Sequence, residues 1–142
     1  MNPLDRLDRT RVHHQFCVLC GDQNPLSLGL QFRAGENTEI STSFKGKSTL
    51  QGYHGILHGG VIGALLDSAM THCLFNQGIE AVTAEMKVRY LHEIPCDAEL
   101  KLIARLITQR KGLYRVQAEI RMAGKPMARS EGKFVIRRTT PV

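Results

Sequence analysis

From Leu28 onward, apolar and polar residues alternate. Leu28, Leu30 and Phe32 take every second position. Ile40, Thr42 and Phe44 then alternate with Glu39, Ser41 and Ser43. A period of two predicts strands, and Gly35-Glu36-Asn37 supplies the turn between them. Residues 46–60 carry Gly46, Gly52, Gly55, Gly59 and Gly60, a density that predicts loop. At Val61 the period changes. Val61 to Asn76 reads as one helix about 24 Å long, closed by Gly78. Beyond it the period of two returns in four rows: Val82, Ala84, Met86, Val88 and Tyr90; Leu100, Leu102, Ala104 and Leu106; Tyr114, Val116, Ala118, Ile120 and Met122; Ala128, Ser130, Phe134 and Ile136. Arg110-Lys111-Gly112 and Ala123-Gly124-Lys125-Pro126 predict tight hairpin turns between the later rows.

The parts are therefore one helix and about six antiparallel strands. Every apolar row needs a cover and one helix is available, so the fold class is α+β, a curved sheet wrapped round a central helix. One helix covers a broad sheet poorly, and the open strand edges predict self-association. With 142 residues the chain holds one folded domain, expected over residues 26–142 and preceded by a polar, Arg-rich, irregular arm over residues 1–25.

Composition narrows the function classes. An apolar fraction of 42% and a charged fraction of 23% exclude a disordered or low-complexity chain. No apolar run approaches the roughly 18 residues of a membrane span, and the start Met1-Asn2-Pro3-Leu4-Asp5-Arg6 has no apolar leader, so a cytoplasmic protein with no membrane partner is expected. The net charge of +6 suits an anionic partner, but its cations are scattered in pairs such as Lys45 and Lys47 or Arg137 and Arg138. With three Tyr, five Phe and no Trp, few surfaces exist for stacking bases, and nucleic acid is not an expected partner.

Four cysteines, Cys17, Cys20, Cys73 and Cys96, are expected as free thiols. Cys17-Val18-Leu19-Cys20 with His13 and His14 nearby offers three zinc ligands. A closed structural site wants four, however, and no second pair exists, so a knuckle without metal is the expectation.

The helix carries the chemistry. Ile62, Leu65, Leu66, Ala69, Met70 and Cys73 share one side and should face the sheet. The other side is Gly60, Gly63, Ala64, Asp67 and Thr71, with Leu74 and Phe75 at its lower end. Asp67 is the only acid on an otherwise apolar helix. A carboxylate in poor solvent is unfavourable by several kcal/mol unless it is paired or useful. The glycines one and two turns before it clear a channel beside it. At the helix start, His58-Gly59-Gly60 presents unpaired amides and the positive dipole end, the makings of an oxyanion hole. Other motifs fail. Gly46-Lys47-Ser48-Thr49 mimics the end of a P-loop but lacks its first glycine and opens no helix, and neither a nucleophile elbow nor a zincin helix is present.

The run from Gly52 to Asp67, with His58-Gly59-Gly60 and an acid further along the helix, resembles the signature of hotdog-fold thioesterases of the PaaI-like acyl-CoA group, and Val82 to Tyr90 is similar to that family's next strand. The resemblance covers residues 25–137. It implies acyl-CoA hydrolysis in homodimers or homotetramers, with coenzyme A as part of the substrate and with neither cofactor nor metal. It implies Asp67 as base or nucleophile and the Gly60 amide as the polariser of the thioester carbonyl. His58 and Gly59 shape that loop, and Thr83 reaches in from the other subunit. One departure stands out: the Asn or Gln that some members place six residues before the motif histidine is Gly52 here. The water-holding role is thus unassigned, with His54 its candidate. Arg89, Arg110 and Lys111 are candidate contacts for the coenzyme's phosphates. The rival reading on the same fold is a protein that binds or senses acyl-CoA without turning it over.

Overall fold

The computed structural model describes residues 13–138. A short strand β1 (Arg33–Ala34) and β2 (Ile40–Lys45) lead into a loop with one 3-10 turn (Ser48–Leu50). Helix α1 (Gly59–Asn76) follows, then β3 (Ala81–Tyr90), β4 (Glu99–Arg110), β5 (Leu113–Met122) and β6 (Lys125–Ile136). All six strands form one antiparallel sheet in the order β1-β2-β4-β5-β6-β3. The two hairpins turn where expected. Lys111 and Gly112, and Ala123 and Gly124, all take positive φ, the primed-turn geometry that matches the twist of the strands.

The sheet wraps α1 as the alternation requires. Ile62, Leu65, Leu66, Ala69, Met70 and Cys73 are buried against Ile40, Leu102, Ala104, Val116, Ile120 and Phe134. Leu74, expected on the far side, is buried too, because the helix is apolar on nearly every face and the sheet curls round it. Gly132 is what allows β6 to pass so close. A Cβ there would lie 2.7 Å from the Phe134 ring and 3.0 Å from the Met70 sulfur. No helix among the described residues is long and apolar enough to cross a membrane.

Three details differ from the sequence reading. Leu28, Leu30 and Phe32 do not form a strand, since β1 begins only at Arg33. Instead the Leu28 and Leu30 amides donate to the carbonyls of Val18 and Leu19. The described part of the expected arm, residues 13–25, is thereby folded against the domain rather than trailing from it. Third, the row from Val82 to Tyr90 does not keep one face. Thr83 pairs with Phe134 and Glu85 with Lys133, so Ala84 is an extra residue and the strand bulges. The bulge shifts the alternation by one: Ala81 and Thr83 face the helix before it, and Met86, Val88 and Tyr90 after it, while Val82 is exposed.

Candidate active site

The site is built on the first half of α1 and on β3, the strand beside it. His58 is held in extended conformation (φ −61°, ψ 134°) as the residue that caps the helix. Its amide donates to Leu50 O at 2.9 Å and the preceding Leu57 amide to Ile94 O at 2.8 Å. Gly52 lies directly against it, where a Cβ would stand 3.3 Å from the imidazole Cδ2. Nδ1 of His58 accepts a hydrogen bond from the Gly60 amide at 2.8 Å. The amide expected to polarise a carbonyl is therefore engaged already, by the ring beside it. The Ile62 amide donates to His58 O. Among the described residues, the Gly59 and Val61 amides are the first-turn donors without a partner.

The channel expected along the glycines is partly filled. The Tyr90 hydroxyl donates to Gly59 O at 2.9 Å. Cβ atoms placed on Gly59 and Gly63 would lie in ordinary contact, 3.7–3.8 Å, with Tyr90 and Met86. Sequence reasoning did not single out Tyr90, and its place at the end of an apolar row on β3 was the only signal. A cleft of about 820 Å³ opens beside the helix start, lined among others by Gln51, Tyr53, His58, Gly59, Tyr90 and His92. Gln51 was also missed. Its Oε1 accepts from the Gly55 amide at 2.9 Å, which pins the loop. His54 is exposed and does not line the cleft.

Two turns along the helix, Asp67 is half-buried rather than sunk in apolar surroundings. The Thr83 hydroxyl donates to its Oδ1 at 2.5 Å. The bulge at Ala84 makes this contact possible, because it turns Thr83 toward the helix. The contact lies within one chain, where the resemblance implied a reach from the second subunit. Of the three cations, Arg89 stands apart from the adjacent pair Arg110 and Lys111. Arg89 faces outward opposite Arg129, in a depression on the far side of the sheet. Arg110 and Lys111 sit at the β4–β5 turn. Through Leu113, Val135 and Val82 the β5 end of that turn lies two strands from β3, roughly 10 Å away, and Arg110 on β4 lies one strand further.

A second cluster stands apart from this site. His14 Nδ1, Cys17 Sγ and Cys20 Sγ lie within 4.8 Å of one another. Burial pushes the Cys20 thiol up to about 12, with Cys17 adding to the effect. His72, stacked on Phe32, is pushed down to about 4 by burial and, secondly, by His14.

One long helix sheathed by one curved antiparallel sheet, with an acid on the helix and free amides at its start, defines the hotdog fold. The chain belongs to the thioesterase superfamily, whose family model matches residues 54–126. No curated protein matches the chain. Among solved structures it is similar to the thioesterase superfamily protein RHA08564 at 25% identity and a TM-score of 0.79, covering 83% of this chain and 62% of that one. The chain thus spans under two thirds of that protein's length. It is also similar to the PaaI protein of the E. coli phenylacetic acid degradation operon, at 22% identity and a TM-score of 0.72, over 80% of this chain and 83% of that one. A hypothetical thioesterase from Streptococcus pneumoniae TIGR4, solved with coenzyme A, matches at 17% identity and a TM-score of 0.71, over 78% of this chain and 91% of that one.

Proposed function

We propose that the protein hydrolyses an acyl-CoA thioester to the free acid and coenzyme A. The observation that carries this reading is the Thr83–Asp67 hydrogen bond beside a helix whose first turn keeps open donors. The bond fixes Oδ1 and leaves Oδ2 to act. As base, Oδ2 takes a proton from water while the water oxygen bonds to the thioester carbon. The carbonyl oxygen gains the charge and is held by a backbone N–H. Collapse of the tetrahedral species then breaks the C–S bond and releases the thiolate. As nucleophile, Oδ2 would instead bond to the thioester carbon and expel the thiolate as the C–S bond breaks, leaving a mixed anhydride that water opens to the free acid and the Asp67 carboxylate.

The open Gly59 amide, rather than that of Gly60, is the donor this reading assigns. His58 fixes the helix start. Gly59 and Asp67 stand about 12 Å apart along one helix at 1.5 Å per residue, too far for both to meet one carbonyl. A site using both is completed by a second copy of the chain. The ten-residue edge strand β3 (Ala81–Tyr90), unpaired on one side among the described residues, is the edge where the two sheets of a homodimer would join. Arg110 and Lys111 then serve the Asp67 half of the site as phosphate contacts. Arg89, on the outer face, is not assigned to it.

Superfamily membership supports the reading, as does coenzyme A in the Streptococcus structure. So do structures of that same protein with alanine in place of an aspartate and of a threonine sixteen positions apart, the separation of Asp67 and Thr83. The test is a thiol-release assay over short, long and aromatic acyl-CoAs. Turnover abolished by Asp67→Asn supports the proposal. Tight binding of acyl-CoA without turnover would replace it with a binding or sensing role, and neither binding nor turnover would remove both.

A further inference from the structure

The cluster at His14, Cys17 and Cys20 takes no part in the chemistry above, and it is built more tightly than a surface turn needs. The chain doubles back on itself so closely that a Cβ on Gly21 would lie 2.5 Å from the Cys17 nitrogen and from the Gln15 carbonyl. The Cys17 amide donates to His14 O at 3.0 Å, and the Gly21 amide to Cys17 O at 2.8 Å. These bonds turn both sulfurs and the imidazole to one side. The Leu19 amide points at Cys17 Sγ, 3.4 Å away, as a backbone donor does toward a thiolate. His14 Nδ1 is 3.5 Å from Cys20 Sγ. A sulfur and an imidazole nitrogen sharing one tetrahedral zinc stand about 3.6 Å apart, given bonds of roughly 2.3 and 2.05 Å. The His14 ring is held edge-on against Phe75 with centroids 4.7 Å apart, so it is oriented before any ion arrives.

We infer that His14, Cys17 and Cys20 form a zinc site. Among the described residues the cluster supplies three ligands. The site is a clip. Cys17 and Cys20 belong to the knuckle, which is tied by Val18 and Leu19 to Leu28 and the buried Leu30, while His14 leans on the C-terminal half of α1 through Phe75. One ion would lock residues 14–30 to the helix. Both thiols lose their protons on binding, and the sulfur lone pairs and the Nδ1 lone pair form the bonds. The ligand set is soft and nitrogenous, which suits zinc and excludes magnesium. The sequence alone favoured a metal-free knuckle because it offers three ligands and no second cysteine pair. The folded geometry favours the ion.

The test uses the full chain, stripped of metal under reductant and titrated with cobalt(II). The expected result is one equivalent bound, with a thiolate-to-cobalt band in the near ultraviolet and tetrahedral bands in the visible, all bleached by zinc and untouched by magnesium. Cys17→Ser, Cys20→Ser and His14→Ala should each weaken binding by at least about tenfold, and Cys96→Ser should not. On the unaltered protein, zinc should shield Cys17 and Cys20, and neither Cys73 nor Cys96, from a maleimide followed by peptide mass spectrometry. This arm decides the matter even if a variant fails to fold. A missing charge-transfer band, unshielded cysteines, or a Cys17–Cys20 disulfide that survives reductant would overturn the inference.

Discussion

The Gly60 amide donates to Nδ1 of His58 at 2.8 Å, so the side chain that caps α1 also occupies one of its first-turn donors. A capping side chain stabilises a helix by about 0.5–2 kcal/mol, through one satisfied amide and a fixed entry angle. His58→Ala should lower the unfolding free energy by about 1 kcal/mol. His58→Asn, whose amide oxygen can accept the same bond, should restore most of it. Urea denaturation of the three proteins checks this, and equal midpoints would show that the cap contributes nothing.

Asp67 and Thr83 should separate cleanly in kinetics. Asp67→Asn keeps the shape and removes the base or nucleophile, so kcat should fall by roughly 10²–10⁴ with the fold intact. Thr83→Val removes only the hydroxyl that orients Oδ1. It should lower kcat by about tenfold with little change in KM, the loss expected of a positioning hydrogen bond. Thr83→Ser should recover most of the rate. A Thr83→Val protein as fast as the parent would leave the 2.5 Å bond without a catalytic role.

The helix and its buried stripe were legible because six apolar residues at helical spacing admit one orientation against a sheet, and the structure buries all six. The later strands were legible for the same reason at period two. Leu28, Leu30 and Phe32 misled because three alternating residues specify an extended segment without specifying a partner. The Leu28 and Leu30 amides went to Val18 and Leu19 instead of a neighbouring strand. The face of β3 was hidden because a one-residue bulge leaves no mark on the pattern, yet it decides whether Thr83 meets Asp67. Asp67 itself stood out as the lone acid of the helix. Which of the two glycine amides is free depends on where the His58 ring turns, and that is a property of the folded loop.

Cys73 should behave as a core residue at neutral pH and as a liability at high pH. Burial pushes its thiol up to about 11, a backbone hydrogen bond from Leu106 opposing this in part, and the S–H donates to Thr38 O at 3.3 Å. The unfolded chain's thiol titrates near 9. Between those values the folded state holds a proton that the unfolded state has lost, so stability falls as pH rises from 9 toward 11. Below pH 9 the thiol has no effect on the slope. Unfolding curves should show this alkaline decline, and Cys73→Val should make it shallower. Iodoacetamide should modify Cys73 only when the protein unfolds. Rapid labelling of the native protein at pH 8 would contradict its burial.

The sharpest test of the divided site is Gly59→Pro. Gly59 is the first residue of α1, the one helical position where proline fits, since its missing N–H would have no partner in the helix. The residue before a proline must be extended, and His58 already is, at φ −61° and ψ 134°. A Cβ at this position lies in ordinary contact with the Tyr90 ring, 3.7 Å away. The substitution removes the Gly59 N–H, keeps the helix entry and adds ring carbons at the edge of the cleft. Thermal stability should be unchanged or slightly raised, while kcat falls by about 10²–10³, the loss of one oxyanion donor. Co-expression with Asp67→Asn then asks whether one site draws on two chains. In a heterodimer of the two variants, one site keeps both intact residues and the other loses both. Random pairing makes half the dimers mixed, so about a quarter of the parent activity should return. If Gly59 and Asp67 act within one chain, no site in the mixture is whole, and the activity should stay at the level of the variants alone.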